Sequence, residues 1–227
     1  MPKLLALDTS TDACSVALYL NGEVREDFRV IPRQHTKQLL PMIQTMLEEA
    51  GIKVADLDAI AFGRGPGSFA GIRIATGVAQ GLAFAAEIPL LPISTLESIA
   101  LSKLQTGETH VVAALDARMD EIYWAAYRSE AGLPIAVTPE RVDAPANVAL
   151  PDGTLWCGAG SGWCYLADMP ESVQASVTVS SELCYPTAST MLTLALRDFA
   201  EGKAVSPEQA LPVYLRDDVA WKKKDQQ

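Results

Sequence analysis

The sequence predicts an α/β protein built as two related halves, the second degenerate. Two features carry that reading. The chain opens on strands and passes into alternating helices and strands, and a second copy of its opening motif stands 108 residues downstream. A length of 227 residues with 49% hydrophobic content leaves room for one large core or two small ones.

The first half, residues 1–105, begins as a meander of three strands. Residues 3–8 form an apolar run that stops at Asp8, and residues 14–20 and Glu23–Val30 form the next two strands. Asn21-Gly22 joins the last pair, and the tight hairpin turn it predicts needs positive φ at both positions. Pro32 ends the meander. A helix follows over 36–50, with Pro41 near its start and Gly51 as its C-terminal cap. The next strand, 58–63, empties into Gly63-Arg64-Gly65-Pro66-Gly67-Ser68, which opens a helix over 69–87. A short strand at 90–93 and a helix starting at Ser94 close this half; Ser94-Thr95-Leu96-Glu97 has the spacing of a capping box.

The pattern then restarts. Laid over Ala6 to Tyr19 without a gap, Ala114 to Tyr127 repeats Ala, Leu, Asp, Asp, Ala and Tyr. Each copy reads as a strand ending in Asp (Asp8, then Asp116), a tight turn and a returning strand, so duplication is the favoured explanation. The second half, 106–187, is looser and holds Pro134, Pro139, Pro145 and Pro151. Its strand at 154–157 runs into Gly158-Ala159-Gly160-Ser161-Gly162. A last helix, Ala188–Ala200, ends at Gly202 and is expected to pack back on the first half. Residues 203–227 form a C-terminal segment, with disorder expected at its lysine-bearing end, 221–227.

Charge and composition exclude several classes. A net charge of −10 with no basic stripe disfavours direct nucleic-acid binding, so any such role runs through a partner. The four cysteines form no C-x-x-C pair, and His35 and His110 lie far apart, so no metal site is predicted and the thiols are expected to be free. No signal peptide or membrane span is predicted; a span needs about 20 apolar residues. The expected location is the cytoplasm.

The chemistry-bearing motifs each admit two readings. Asp8, Thr9 and Ser10 at a tight turn can orient Mg²⁺ and touch phosphate oxygens, or can cap the turn through side-chain to backbone bonds. Gly65 and Gly67, with Pro66 and Ser68, can offer N–H groups to an anion at a helix start, or can make a tight strand-to-helix turn. The loop is neither a Walker A nor a Rossmann fingerprint. No catalytic residue and no required cofactor is predicted. The rival from the enzyme class is an actin-like ATPase or small-molecule kinase using Asp8, Thr9 and Asp116.

Two helices point to a partner. On the helix over 69–87, Arg73, Thr76, Gln80 and Glu87 fall within an arc of about 60°, and nearly everything else is apolar or small. That predicts burial from more than one side. Gly77, Gly81 and Ala85 recur at helical spacing and allow another helix to approach, while Phe84 falls beside the polar arc where solvent is expected. On the first helix, Leu39, Met42 and Met46 line one flank and Leu40, Ile43 and Leu47 the other. One flank can face a partner, or both can be core.

Four motifs resemble the TsaB (YeaZ) family of actin-like proteins related to TsaD. They are Leu7-Asp8-Thr9-Ser10; His35-Thr36-Lys37-Gln38-Leu39-Leu40-Pro41; Gly65-Pro66-Gly67-Ser68-Phe69-Ala70-Gly71-Ile72-Arg73-Ile74; and Pro212-Val213-Tyr214-Leu215-Arg216. Ala70 stands where the family usually has threonine. The resemblance implies an actin-like ATPase (ribonuclease H-like) fold and a part in placing threonylcarbamoyl on N6 of adenosine 37 in tRNAs that read ANN codons. It implies a TsaD-like catalytic partner and a TsaE-like ATPase, a homodimer when alone, tRNA contact only through the complex, and ATP or ADP at the level of the complex. TsaD-like proteins carry a metal in a His-x-x-x-His pair; this chain has none, so the transfer chemistry is expected elsewhere. Kinship also raises an endopeptidase reading, which lacks that metal pair. The implied partner interface is Leu39, Met42, Met46, Arg73, Thr76, Gly77, Gln80 and Phe84.

Overall fold

The structure is a computed structural model that describes residues 1–216. The expected disorder at 221–227 lies outside the described residues.

Five strands form the first sheet: β1 (Leu4–Asp8), β2 (Ala13–Leu20), β3 (Glu23–Val30), β4 (Ala59–Gly65) and β5 (Leu90–Ser94), in the order β3-β2-β1-β4-β5. β1 to β3 run antiparallel, and β4 and β5 lie parallel to β1. Asn21 and Gly22 take φ of 54° and 89°, the left-handed pair that a two-residue hairpin requires. β1 is central and wholly buried, which explains its unbroken apolar run. β3 is the exposed edge, and its Glu, Asp and Arg residues protect it from pairing with other chains.

The second sheet repeats this plan. It contains β6 (His110–Arg118), β7 (Glu121–Glu130), β8 (Leu133–Ala136), β10 (Trp156–Ala159) and β11 (Val177–Val179), with β9 (Arg141–Asp143) paired to β7. Its order, β8-β7-β6-β10-β11, has the same sequence of antiparallel and parallel pairs as the first sheet. Two copies of this meander-plus-parallel unit make the actin-like, ribonuclease H-like fold. β8, β9 and β11 escape sequence reading because each has only three or four residues, and Pro134 sits inside β8, where an edge position tolerates it.

Helices α1 (His35–Ala50) and α2 (Phe69–Ala86) cover one face of the first sheet. α5 (Ala188–Ala200) covers the other, with Met191, Leu192 and Leu194 on Leu4, Ala6 and Ala61. α3 (Thr95–Leu104) joins the halves: Leu101 enters the α5 cluster, while Leu96, Ile99 and Ala100 pack on Val111 and Ala113 of β6. Ser94 caps α3 by accepting from the Glu97 N–H at 3.1 Å. The Glu97 carboxylate does not complete the capping box; it takes Arg197 of α5 at 2.9 Å.

One expectation about the helices is corrected. Leu39, Met42 and Met46 are buried, as are Ile43 and Leu47, so both flanks of α1 are core. The reason lies beneath them: Leu5, Leu7, Cys14, Val16 and Phe62 need a cover wider than one flank supplies. Among these apolar positions only Leu40 faces solvent, at 51% exposure. α2 buries Ile72, Ala75, Thr76, Ala79 and Ala83, the C-terminal segment lies along Gln80, and the face opposite the buried residues is open.

A candidate functional site: a packed turn and an open helix face

The Asp8-Thr9-Ser10 turn is closed by the loop that follows β4. Thr9 Oγ1 donates to the Gly71 carbonyl at 2.7 Å, and the Ser68 N–H donates to the Ser10 carbonyl at 2.7 Å. Ser10 donates to Asp8 Oδ1 from both its N–H (3.0 Å) and its hydroxyl (2.8 Å). The glycines are there for contact: a Cβ on Gly67 would strike the Ser10 carbonyl, and one on Gly71 the Thr9 carbonyl. Gly65, at φ 100°, lies against the Val213 carbonyl. Asp8, Thr9, Ser10 and Gly67 are therefore brought together, while Gly65 meets Val213 and Ile72 instead. The Ser10 N–H to Asp8 and Thr9 to Gly71 bonds are side-chain to backbone bonds of the turn-capping kind.

Asp8 is the anomaly inside that turn. It is fully buried, and its Oδ2 rests against the bare backbone of Gly63 with no hydrogen-bond partner. Burial pushes its pKa up to about 7, and the two Ser10 bonds recover only part of the lost solvation.

The second copy of the turn differs. The Asp116 N–H donates to Ser161 Oγ at 3.1 Å, and the Asp116 carboxylate accepts from the Arg118 N–H at 2.8 Å and pairs with its guanidinium at 3.1 Å. Arg118, Met119 and Asp120 all have positive φ, so the hairpin is a left-handed run of three non-glycine residues. Asp8 and Asp116 hold equivalent places in the two sheets and differ in surroundings, one orphaned in the core and one tied to an exposed arginine.

The open face of α2 is the more distinctive surface. Arg73, Phe84, Gly77, Ala70, Gly81, Ile74 and Ala85 share an arc of about 120°, and all but the half-buried Ile74 are exposed. Arg73 alone among them carries charge. Phe84 is 69% exposed, and nothing lies within 4 Å of a Cβ added at Gly77 or Gly81. By length and composition α2 could cross a membrane, yet a third of it is buried in the fold. Its hydrophobicity serves two faces, one on the sheet and one open.

Of the polar arc read from the sequence, Arg73 and Glu87 are exposed while Thr76 and Gln80 turn to the protein. Thr76 is buried and donates to the Ile72 carbonyl at 2.7 Å. Gln80 donates to the carbonyls of Pro207 and Ala210 at 3.1 and 2.9 Å. Both residues leave the predicted contact set, because the C-terminal segment runs along their side of the helix. Farther on, the Val213 N–H donates to the Arg64 carbonyl at 2.8 Å, and Arg216 bonds Glu121 and the carbonyls of Ala117 and Arg118 in the β6–β7 turn. Residues 212–216 therefore strap the halves together over a cleft of about 660 Å³ lined by Pro66, Phe69, Ile72, Tyr123 and Tyr214. The sequence marks this segment as a family motif without showing its structural role. Its available signal was Phe69 and Arg73, which are spaced i, i+4 on one helix face.

The duplicated sheet order defines an actin-like, ribonuclease H-like protein, with its Asp8-Thr9-Ser10 turn packed against the start of α2. The chain belongs to the TsaB (YeaZ) family. The family described as "TsaD: tRNA N6-adenosine threonylcarbamoyltransferase" matches residues 29–224. The Escherichia coli K12 "tRNA threonylcarbamoyladenosine biosynthesis protein TsaB" is 45% identical over 226 residues, covering 97% of each chain. The Haemophilus influenzae protein of the same description is 40% identical over 232 residues, covering 97% of this chain and 96% of its own. Among solved structures, "YeaZ from Pseudomonas aeruginosa" superposes with a TM-score of 0.90 at 49% identity, covering 95% of this chain and all of that one.

Proposed function

We propose that this chain is the non-catalytic subunit of the machinery that transfers threonylcarbamoyl to N6 of adenosine 37 in tRNA, and that it acts by binding a TsaD-like catalytic subunit. The description of its relatives as tRNA threonylcarbamoyladenosine biosynthesis proteins supports the pathway. The observation that carries the partner role is the open face of α2, an 18-residue helix with a glycine floor at Gly77 and Gly81 and an exposed Phe84. Such a floor lets a second helix approach closely, and an unshielded aromatic supplies an anchor. A second copy of the chain covers the same face when the partner is absent, and a TsaE-like ATPase joins at the level of the complex. The sealed Asp8 turn fits a subunit that leaves nucleotide and transfer chemistry to others. Four free thiols fit a cytoplasmic setting.

The test is reconstitution. Threonylcarbamoyl transfer to tRNA by the TsaD-like subunit, TsaE-like ATPase and adenylate donor should require this chain, and Phe84→Asp should remove its contribution. Full transfer in its absence refutes the proposal.

A further inference from the structure

Arg73 is unusually placed for a cation on an apolar face. Its guanidinium carbon stands 3.7 Å from the centre of the Phe69 ring and 5.6 Å from that of Tyr214, and its Nε donates to the Tyr214 hydroxyl at 2.8 Å. The two rings lie 5.7 Å apart, tilted by 44°. Tyr214 is itself held from both sides, because Val213 is bonded to Arg64 and Arg216 to the β6–β7 turn. The strap thus fixes the arginine in one orientation. Its two terminal nitrogens bond nothing among the described residues, and no carboxylate of the described residues lies within ion-pair distance of them. Arg25, Arg33 and Arg141 also lack an ion pair among the described residues, so what sets Arg73 apart is its stacking on Phe69 and its bond to Tyr214.

We propose that the Phe69–Arg73–Tyr214 stack is a carboxylate receptor, and that an Asp or Glu presented by the partner subunit's docking helix closes on the two open nitrogens of Arg73. This rests on the docking role of α2 given above. A guanidinium fork binds a carboxylate through two parallel bonds, and an arginine already ordered by stacking loses little freedom in doing so. Arg73 begins the same exposed arc that holds Gly77 and Gly81, so a helix lying on that floor passes beside it. Charge complementarity therefore selects an acidic residue near the end of the partner helix that crosses the start of α2.

The experiment measures affinity for the purified TsaD-like subunit at low and high salt, using wild type, Arg73→Gln, Arg73→Lys, Tyr214→Phe and Gly81→Leu. Arg73→Gln should weaken binding by about tenfold or more and flatten its salt dependence. Arg73→Lys should recover the salt dependence without full affinity, and Tyr214→Phe, which frees Nε, should weaken binding about threefold. Unchanged affinity and salt slope in Arg73→Gln, with binding still lost in Gly81→Leu, overturns the receptor and leaves the docking face standing. Full affinity in Gly81→Leu overturns the docking face itself.

Discussion

Thr9 Oγ1 reaches from the β1–β2 turn to the Gly71 carbonyl at the start of α2 at 2.7 Å, while the Thr9 carbonyl lies against the place where a Cβ of residue 71 would be. The turn and the start of α2 are one packed unit. Thr9→Val should cost about 1 kcal/mol through the lost hydrogen bond. Gly71→Ala should cost more, about 2–3 kcal/mol, because backbone rather than a movable side chain blocks the methyl. Urea unfolding checks both, and wild-type stability in Gly71→Ala would contradict the packing.

The same closure predicts that the isolated chain shows no saturable micromolar binding of Mg-ATP in calorimetry. Such binding would revive the ATPase or kinase reading on Asp8 and Asp116.

Asp8 makes stability depend on pH. Its carboxyl titrates near 3.8 when unfolded and about 7 when folded, so folding takes up a proton between those values and stability falls as pH rises through that window. At pH 8 the cost is on the order of 4 kcal/mol. Asp8→Asn keeps the acceptor for Ser10 and cannot ionise. Its melting temperature should exceed wild type at pH 8, with the gap closing toward pH 4; parallel profiles would contradict the burial argument.

Two apolar residues read together from sequence should behave oppositely. Met42→Asp places a charge in the core against Cys14 and should prevent folding, and Met42→Ala should cost about 2–5 kcal/mol. Phe84→Asp should change stability by less than about 0.5 kcal/mol. Circular dichroism with thermal melts separates the two.

Gly77 and Gly81 sit mid-helix with open space around them, so replacing each by Ala should stabilise the lone chain by about 0.8–1 kcal/mol. A rise in melting temperature together with weaker partner binding would mean that the glycines serve approach rather than folding.

Much of this architecture was legible in the sequence. Asn21-Gly22 fixed a hairpin because positive φ leaves few residue choices, and the Leu7-Asp8 and Leu115-Asp116 repeat pointed to two copies of one sheet. The α1 flanks were not separable, because periodicity locates an apolar stripe and does not tell whether a sheet or a partner covers it. Thr76 and Gln80 were misplaced for a related reason: their polar groups bond a helix carbonyl and the C-terminal strap, contacts up to 130 residues away in sequence. Exposure of Phe84 was legible because it lay beside Arg73 and Gln80 on the helix wheel.

The affinity of a Gly77→Leu/Gly81→Leu double variant for the TsaD-like subunit tests the central claim most directly. Two leucines on the floor of the α2 face should weaken binding by about 100-fold or more, with the melting temperature unchanged or raised. Wild-type affinity in that folded variant would place the working surface somewhere other than α2.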